Sequence, residues 1–96
     1  MPFVVQRTRQ FAEWFERLAD RQAARRIQLR IDRLELGLFG DVKFFDGIGE
    51  LRVDHGPGYR VYFARHGDRI VILLCGGTKK SQQRDIDAAK RMAKEL

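Results

Sequence analysis

The stretch that most constrains this chain is Ile48-Gly49-Glu50-Leu51-Arg52-Val53-Asp54-His55-Gly56-Pro57-Gly58-Tyr59-Arg60-Val61-Tyr62-Phe63-Ala64-Arg65. Two alternating runs flank a centre, Asp54 to Gly58, built of residues that accept tight turns. This pattern reads as a β-hairpin. Leu51, Val53, Tyr59, Val61 and Phe63 are apolar, whereas Glu50, Arg52, Arg60 and Tyr62 are polar or amphipathic. Side chains alternate across a strand, so each set lines one face of a sheet. The apolar face is assigned to a core. The other face is expected to carry two arginines and a tyrosine on a rigid surface, which makes it the candidate working surface.

The flanking segments follow from the same periodicities. Phe3 to Arg7 is β-prone and predicts a first strand. Thr8 is placed to cap a helix in which Phe11, Trp14, Phe15 and Leu18 form one apolar stripe. Asp20 ends that helix and caps a second, with Ala24, Ile27, Ile31, Leu34 and Leu38 as its stripe. Arg21, Arg25, Arg26, Arg30 and Arg33 decorate the rest. Gly37 or Gly40 supplies the stop. Val42 to Phe45 predicts a further strand, closed by Asp46-Gly47. Arg69 to Cys75 is apolar without alternation, as in a strand covered on both faces. Gly76-Gly77-Thr78-Lys79-Lys80 is expected to leave it as a basic loop. Ser81 is expected to cap a last helix with Ile86, Ala89, Ala93 and Leu96 on one side. Asp85 and Asp87 near its start and Lys90, Arg91 and Lys94 near its end suit the helix dipole. The expectation is an α+β fold, ordered β-α-α-β-β-β-α. It has a mainly antiparallel twisted sheet, a helical hairpin on one face and a C-terminal helix.

Composition narrows the function classes. With 96 residues, the chain is expected to be a single domain over 1–96. No apolar run approaches the roughly 20 residues that span a bilayer, so no membrane role is expected. The N-terminus lacks the apolar stretch of a signal peptide. The single cysteine, Cys75, rules out an intrachain disulfide and a cysteine-based zinc site. A cytoplasmic location is the resulting expectation. The net charge of +6 and a pI near 10.1 favour an anionic partner such as nucleic acid.

The chain holds no Gly-rich phosphate loop with a suitably placed lysine, no recognisable nucleophile motif and no metal-ligand spacing. No metal or cofactor is expected. Its two histidines, His55 and His66, both fall in predicted turns. What remains is a set of basic residues on a sheet. Arg52 and Arg60 lie on opposite arms of the hairpin and share a face by parity, with Tyr62 two residues on. Lys43 is on the preceding strand, and Lys79 and Lys80 leave the last one. Arginine forks match phosphate geometry, and an aromatic ring stacks on an unpaired base.

The runs Gly49 to Val53, Gly58 to Phe63 and Leu73-Leu74-Cys75-Gly76-Gly77-Thr78-Lys79-Lys80-Ser81-Gln82, followed by Asp85-Ile86 and Ala89, resemble the RelE/ParE superfamily of toxins. More narrowly they resemble the addiction-module killer branch, which is HigB/RelE-like and whose gene often precedes a HigA-like antitoxin. The resemblance covers nearly the whole chain and implies a RelE-like fold. It implies the toxin half of a type II toxin–antitoxin pair. RelE-like members cleave messenger RNA in the ribosomal A site, and ParE-like members inhibit DNA gyrase. In the RNA-cleaving members basic residues take the place of an acid–base histidine pair and stabilise developing charge. Arg60 matches the arginine of that pattern, Arg52 falls where RelE has a strand lysine, and Lys79 or Lys80 falls near its arginine after the last strand. A second strand lysine is replaced by Glu50, the one base candidate on that face. The C-terminal tyrosine of RelE has no counterpart after Tyr62.

The resemblance thus implies a metal-independent mRNA endoribonuclease that inhibits translation. Its catalytic set is Arg52, Arg60, Lys79 and Glu50, and its RNA-binding set is Lys43, Tyr62, Lys80 and His55. Its implied partners are ribosome-bound mRNA and a cognate helix-turn-helix antitoxin of HigA type, in a toxin–antitoxin hetero-oligomer. The alternative is a non-nucleolytic gyrase inhibitor of ParE type.

Overall fold

In the computed structural model, which describes residues 2–96, five strands form one sheet. They are β1 (Val4–Arg7), β2 (Val42–Phe45), β3 (Ile48–Val53), β4 (Tyr59–His66) and β5 (Ile70–Thr78). The helices are α1 (Arg9–Glu16), α2 (Arg21–Glu35) and α3 (Gln82–Lys94). The strand order is β1-β5-β4-β3-β2, with β1 parallel to β5 and every other pair antiparallel. The α+β class and the mainly antiparallel sheet are as expected. The sheet holds one strand more than the order β-α-α-β-β-β-α counts, and its five strands are the five segments read individually as strands in the sequence.

The helix boundaries follow from local chemistry. Thr8 caps α1, its hydroxyl accepting the Phe11 N–H at 3.1 Å. Asp20 caps α2 in the same way through Ala23 N–H. At the other end of α2, Gly37 N–H bonds the Leu34 carbonyl and Leu38 N–H bonds that of Arg33. This paired closure needs a left-handed residue, and Gly37 supplies it at φ +83°. The stop moves Leu38 out of the helix, where it is exposed, and the inner stripe of α2 is Ala23, Ile27, Ile31 and Leu34. Ala24, expected in that stripe, sits one position off it.

Both faces of the sheet are covered. On one, α1 and α2 bring Phe11, Ile27 and Leu34 against Leu51, Val61, Phe63 and Leu73. On the other, α3 brings Ile86 and Ala89 against Ile48, Tyr62, Ala64 and Leu74. The second hairpin face is therefore not the open surface that parity alone suggested. Tyr62 has no exposed surface.

Strand β5 also runs further than expected, through Gly76, Gly77 and Thr78, which pair with Val61, Arg60 and Tyr59. Leu74 is an extra residue in the ladder, since Tyr62 pairs with Cys75 and Phe63 with Leu73. This bulge shifts the alternation by one residue. Gly76 then faces α1, where a Cβ would overlap the Trp14 indole, and Gly77 faces α3, where a Cβ would overlap the Asp85 carboxylate. Glycine in a strand interior marks such close approach, and here it lets one strand accept a helix on each face.

The Gly76→Ala variant is expected to lose about 1–3 kcal/mol in urea denaturation, as overpacked sites do. The Trp14→Ala variant is expected to lose about 3–5 kcal/mol. The double variant should lose less than their sum, because without the indole the new methyl meets open space.

Candidate functional site

The β3–β4 turn builds one wall of the site. His55 N–H bonds the Val53 carbonyl and Gly58 N–H bonds the His55 carbonyl, each at 3.0 Å. Gly58 has φ +78°, a region that side chains rarely enter, and a Cβ there would lie 2.9 Å from Arg60 Nη1. Its carbonyl accepts two donors, Arg60 Nη1 at 2.7 Å and Lys79 N–H at 2.9 Å. The turn thus fixes the Arg60 guanidinium and ties the exit of β5 beside it.

Behind this wall lies a buried carboxylate. Arg52 and Arg60 are direct cross-strand partners, as are Glu50 and Tyr62. Like charges directly opposite one another destabilise a sheet. Glu50, with no exposed surface, lies between them and neutralises one charge. Its Oε1 accepts from Arg52 Nε at 2.9 Å. Its Oε2 accepts from the Tyr62 hydroxyl and from Gln82 Nε2, each at 3.0 Å. Arg60 Nε lies 3.9 Å from Oε2, an ion pair too long for a hydrogen bond, and this buried nitrogen has no hydrogen-bond partner among the described residues.

Burial opposes ionisation of Glu50, but the hydrogen bonds from Arg52, Gln82 and Tyr62, with the Arg52 charge, outweigh it and hold its carboxyl below the ordinary range. The same bond raises the Arg52 guanidinium further. Burial, then the Glu50 charge and hydrogen bond, push the Tyr62 phenol well above its usual value. Glu50 is therefore an anion whose two oxygens are already engaged.

In front of the carboxylate is an open cleft of about 380 Å³, lined among others by Asp41, Arg52, Asp54, Pro57, Arg60 and Lys79. Three of the sequence-predicted residues, Arg52, Arg60 and Lys79, meet here. Arg52 engages Glu50 through Nε alone, and its two terminal nitrogens make no hydrogen bond among the described residues.

The other predicted residues lie elsewhere. Glu50 is beneath the cleft rather than in it. Tyr62 is buried under α3 and presents no face to a base, a correction to its expected stacking role. Lys43 is exposed on the edge strand β2, with Nζ 5.2 Å from the Phe45 ring. Lys80 borders a separate groove with Thr78, Ser81 and Arg84. His55 turns toward the helical face, where Nε2 is 3.1 Å from Asp20 Oδ2 and the ring stacks on Tyr59.

Sequence reasoning missed Gln82 and Arg30. Gln82, in the first turn of α3, brings that helix into the Glu50 network. Arg30 holds the back of the site, donating to the backbone carbonyl of Arg52 and, through Nη2, to those of Phe39 and Asp41 at 3.0 Å each. Its place one turn from both Ile27 and Leu34 distinguishes it from the other arginines of α2 and was readable. Ser81 stands at the N-cap of α3 as expected, but its hydroxyl donates to Asp85 Oδ2 and accepts the Thr78 N–H at 3.4 Å rather than capping α3. Among the described residues no cluster of three His, Cys, Asp or Glu is disposed to hold a metal ion, and no helix is long and apolar enough to cross a membrane.

Comparison with known families matches residues 13–95 to "Phage derived protein Gp49-like (DUF891)". The chain belongs to this family. An uncharacterized protein of Haemophilus influenzae (strain ATCC 51907 / DSM 11121 / KW20 / Rd) is 46% identical over 97 residues, which span all of this chain and 98% of that relative. The Gp49-like family is a RelE/HigB-like toxin family, so the resemblance seen in the sequence holds at that level. Membership suggests a toxin–antitoxin toxin and implies an antitoxin partner for this Gp49-like protein.

Breaking a buried charge pair by removing one partner costs about 3–5 kcal/mol, and Glu50→Gln is expected to destabilise by that order in urea denaturation. The pH dependence has a definite sign. The Glu50 carboxyl titrates below its ordinary 4.5 in the folded state, so its stabilisation is complete above about pH 4.5. It is lost as pH falls through the lower folded-state value. The parent should therefore lose stability more steeply than Glu50→Gln between pH 4.5 and acid unfolding.

Proposed function

We propose that this Gp49-like protein is a ribosome-dependent, metal-independent mRNA endoribonuclease, the cytoplasmic toxin of a type II module neutralised by a HigA-like antitoxin. The observation that carries this reading is the convergence of Arg52, Arg60 and Lys79, from three separate segments, on one cleft above a buried carboxylate. A phosphodiester is the ligand that such a set suits. Planar arginine forks bind phosphate oxygens in pairs, and a preorganised cationic site stabilises charge as it develops.

In the proposed reaction a ribose 2′-hydroxyl attacks the adjacent phosphorus, and the bond to the 5′-oxygen of the next nucleotide breaks. A 2′,3′-cyclic phosphate and a 5′-hydroxyl result, the 2′-hydroxyl proton passing to solvent water and a solvent proton going to the departing 5′-oxygen. Negative charge grows on the non-bridging oxygens, where the free terminal nitrogens of Arg52 and the fixed guanidinium of Arg60 stabilise it. Lys79 adds the third positive charge. Arginine stays protonated and does not abstract the attacking proton. Glu50 serves in this scheme as a positioning residue, since its oxygens hold Arg52, Tyr62 and Gln82. Lys43 and Lys80 serve as outlying phosphate contacts on either side. An acidic antitoxin segment laid over the cleft would mask all three central cations.

Inducible expression with primer-extension mapping of cellular RNA tests this. Cuts in translated messages, in register with codons, are the expected result for the parent. The Arg52→Ala and Arg60→Ala variants, shown to be folded by circular dichroism, should cut about 10²–10³-fold less, the range for losing one preorganised charge-stabilising group. Variants as toxic as the parent would overturn the assignment. DNA-damage induction with intact messages would show a gyrase-directed toxin instead.

A further inference from the structure

The cleft contains more than a phosphate site requires. Besides three cations it is lined by two carboxylates, Asp41 and Asp54. Placed beside a phosphodiester, an unengaged carboxylate weakens its binding. Asp41 is accounted for within the fold, because it lies in the field of Arg30 and Arg52 and its carbonyl accepts from both. Asp54 has no bonded partner, although it stands at the border between the cleft and a second groove lined by Arg26, Arg30 and Arg33. Its side chain is exposed, caps no turn, and makes no hydrogen bond or ion pair among the described residues.

The turn that carries it is nonetheless anchored. The next residue, His55, is fastened by side chain to Asp20 at the start of α2 and by backbone to Val53. Pro57, exposed on the same wall, offers a compact apolar ring with fixed backbone geometry. The cleft thus has three chemically distinct parts: cations, an acceptor pair carried on an anchored turn and an apolar surface. A nucleotide has the matching three: a phosphate, a base edge and a base face. Unstacked RNA bases are read on their Watson–Crick edges.

We propose that Asp54 is the base-reading residue of the cleft and that it selects guanine beside the scissile phosphate. This inference rests on the nuclease reading above. A carboxylate presents two acceptors side by side. Guanine alone offers two adjacent donors, N1–H and N2–H, on its Watson–Crick edge. Adenine and cytosine place a ring-nitrogen lone pair next to their amino group, and uracil places its one N–H between two carbonyls. Each of those bases brings a lone pair against the carboxylate. A good bidentate contact discriminates by about tenfold or more.

The test maps cuts across the cellular messages in strains expressing the parent, Asp54→Asn or Asp54→Glu, each shown to be folded by circular dichroism. The parent should cut next to guanine about tenfold more often than next to the other bases. Asn replaces one acceptor with a donor, so Asp54→Asn should lose that preference and shift toward adenine or cytosine, which pair a donor with an acceptor. Asp54→Glu, which keeps the carboxylate, should retain guanine. Parent cuts without a guanine bias, an unchanged bias in Asp54→Asn, or loss of all cutting in Asp54→Asn while the parent cuts would overturn the selection role. Absence of cuts in the parent would instead overturn the nuclease reading on which it rests.

Discussion

A single buried anion makes the arginine pair possible. Arg52 and Arg60 face each other across the central hairpin, an arrangement that repels in isolation. Glu50, on the same sheet face, binds the first directly and attracts the second at longer range. Removing a carboxylate from water is costly unless its oxygens are satisfied. Here Arg52, Tyr62 and Gln82 satisfy them, and they come from β3, β4 and α3. The charge balance of the cleft and the docking of the C-terminal helix therefore depend on the same two oxygen atoms.

The sheet around this network is organised to be covered twice. The bulge at Leu74 and the two glycines after it let β5 receive Trp14 on one face and Asp85 on the other. A regular strand with ordinary side chains there would hold the helices off. Burial of Tyr62 follows from the same packing, since α3 can lie close to β4 only where Gly77 leaves room. The cleft is then confined to the end of the hairpin that α3 does not reach.

Much of this was legible in the sequence. The alternation of Leu51, Val53, Val61 and Phe63 placed the main core, and the caps at Thr8 and Asp20 placed two helices. Parity put Arg52 and Arg60 together, and the basic exit from the last strand added Lys79. What escaped was non-local. A strand pattern tells which residues share a face but not what covers that face, so Tyr62 looked available when it is buried. The bulge leaves no mark in composition, and Gly76-Gly77 read as a loop because its reason for being glycine lies in Trp14 and Asp85, far off in sequence. His55 was placed near the arginines by chain position, whereas its partner is the cap of α2.

The Gly58 carbonyl has one further consequence. Both of its lone pairs are taken, one by the Arg60 side chain and the other by the Lys79 backbone. Two segments distant in the chain thus share a single atom as their anchor, and neither can shift without the other losing its reference point. Two of the three cationic segments are in this sense one mechanical part, while Arg52 is held separately by Glu50. The spacing of those two is set by a peptide group, and because that group is backbone, substitutions at the rim can change its charge while the anchor that sets this spacing stays in the main chain.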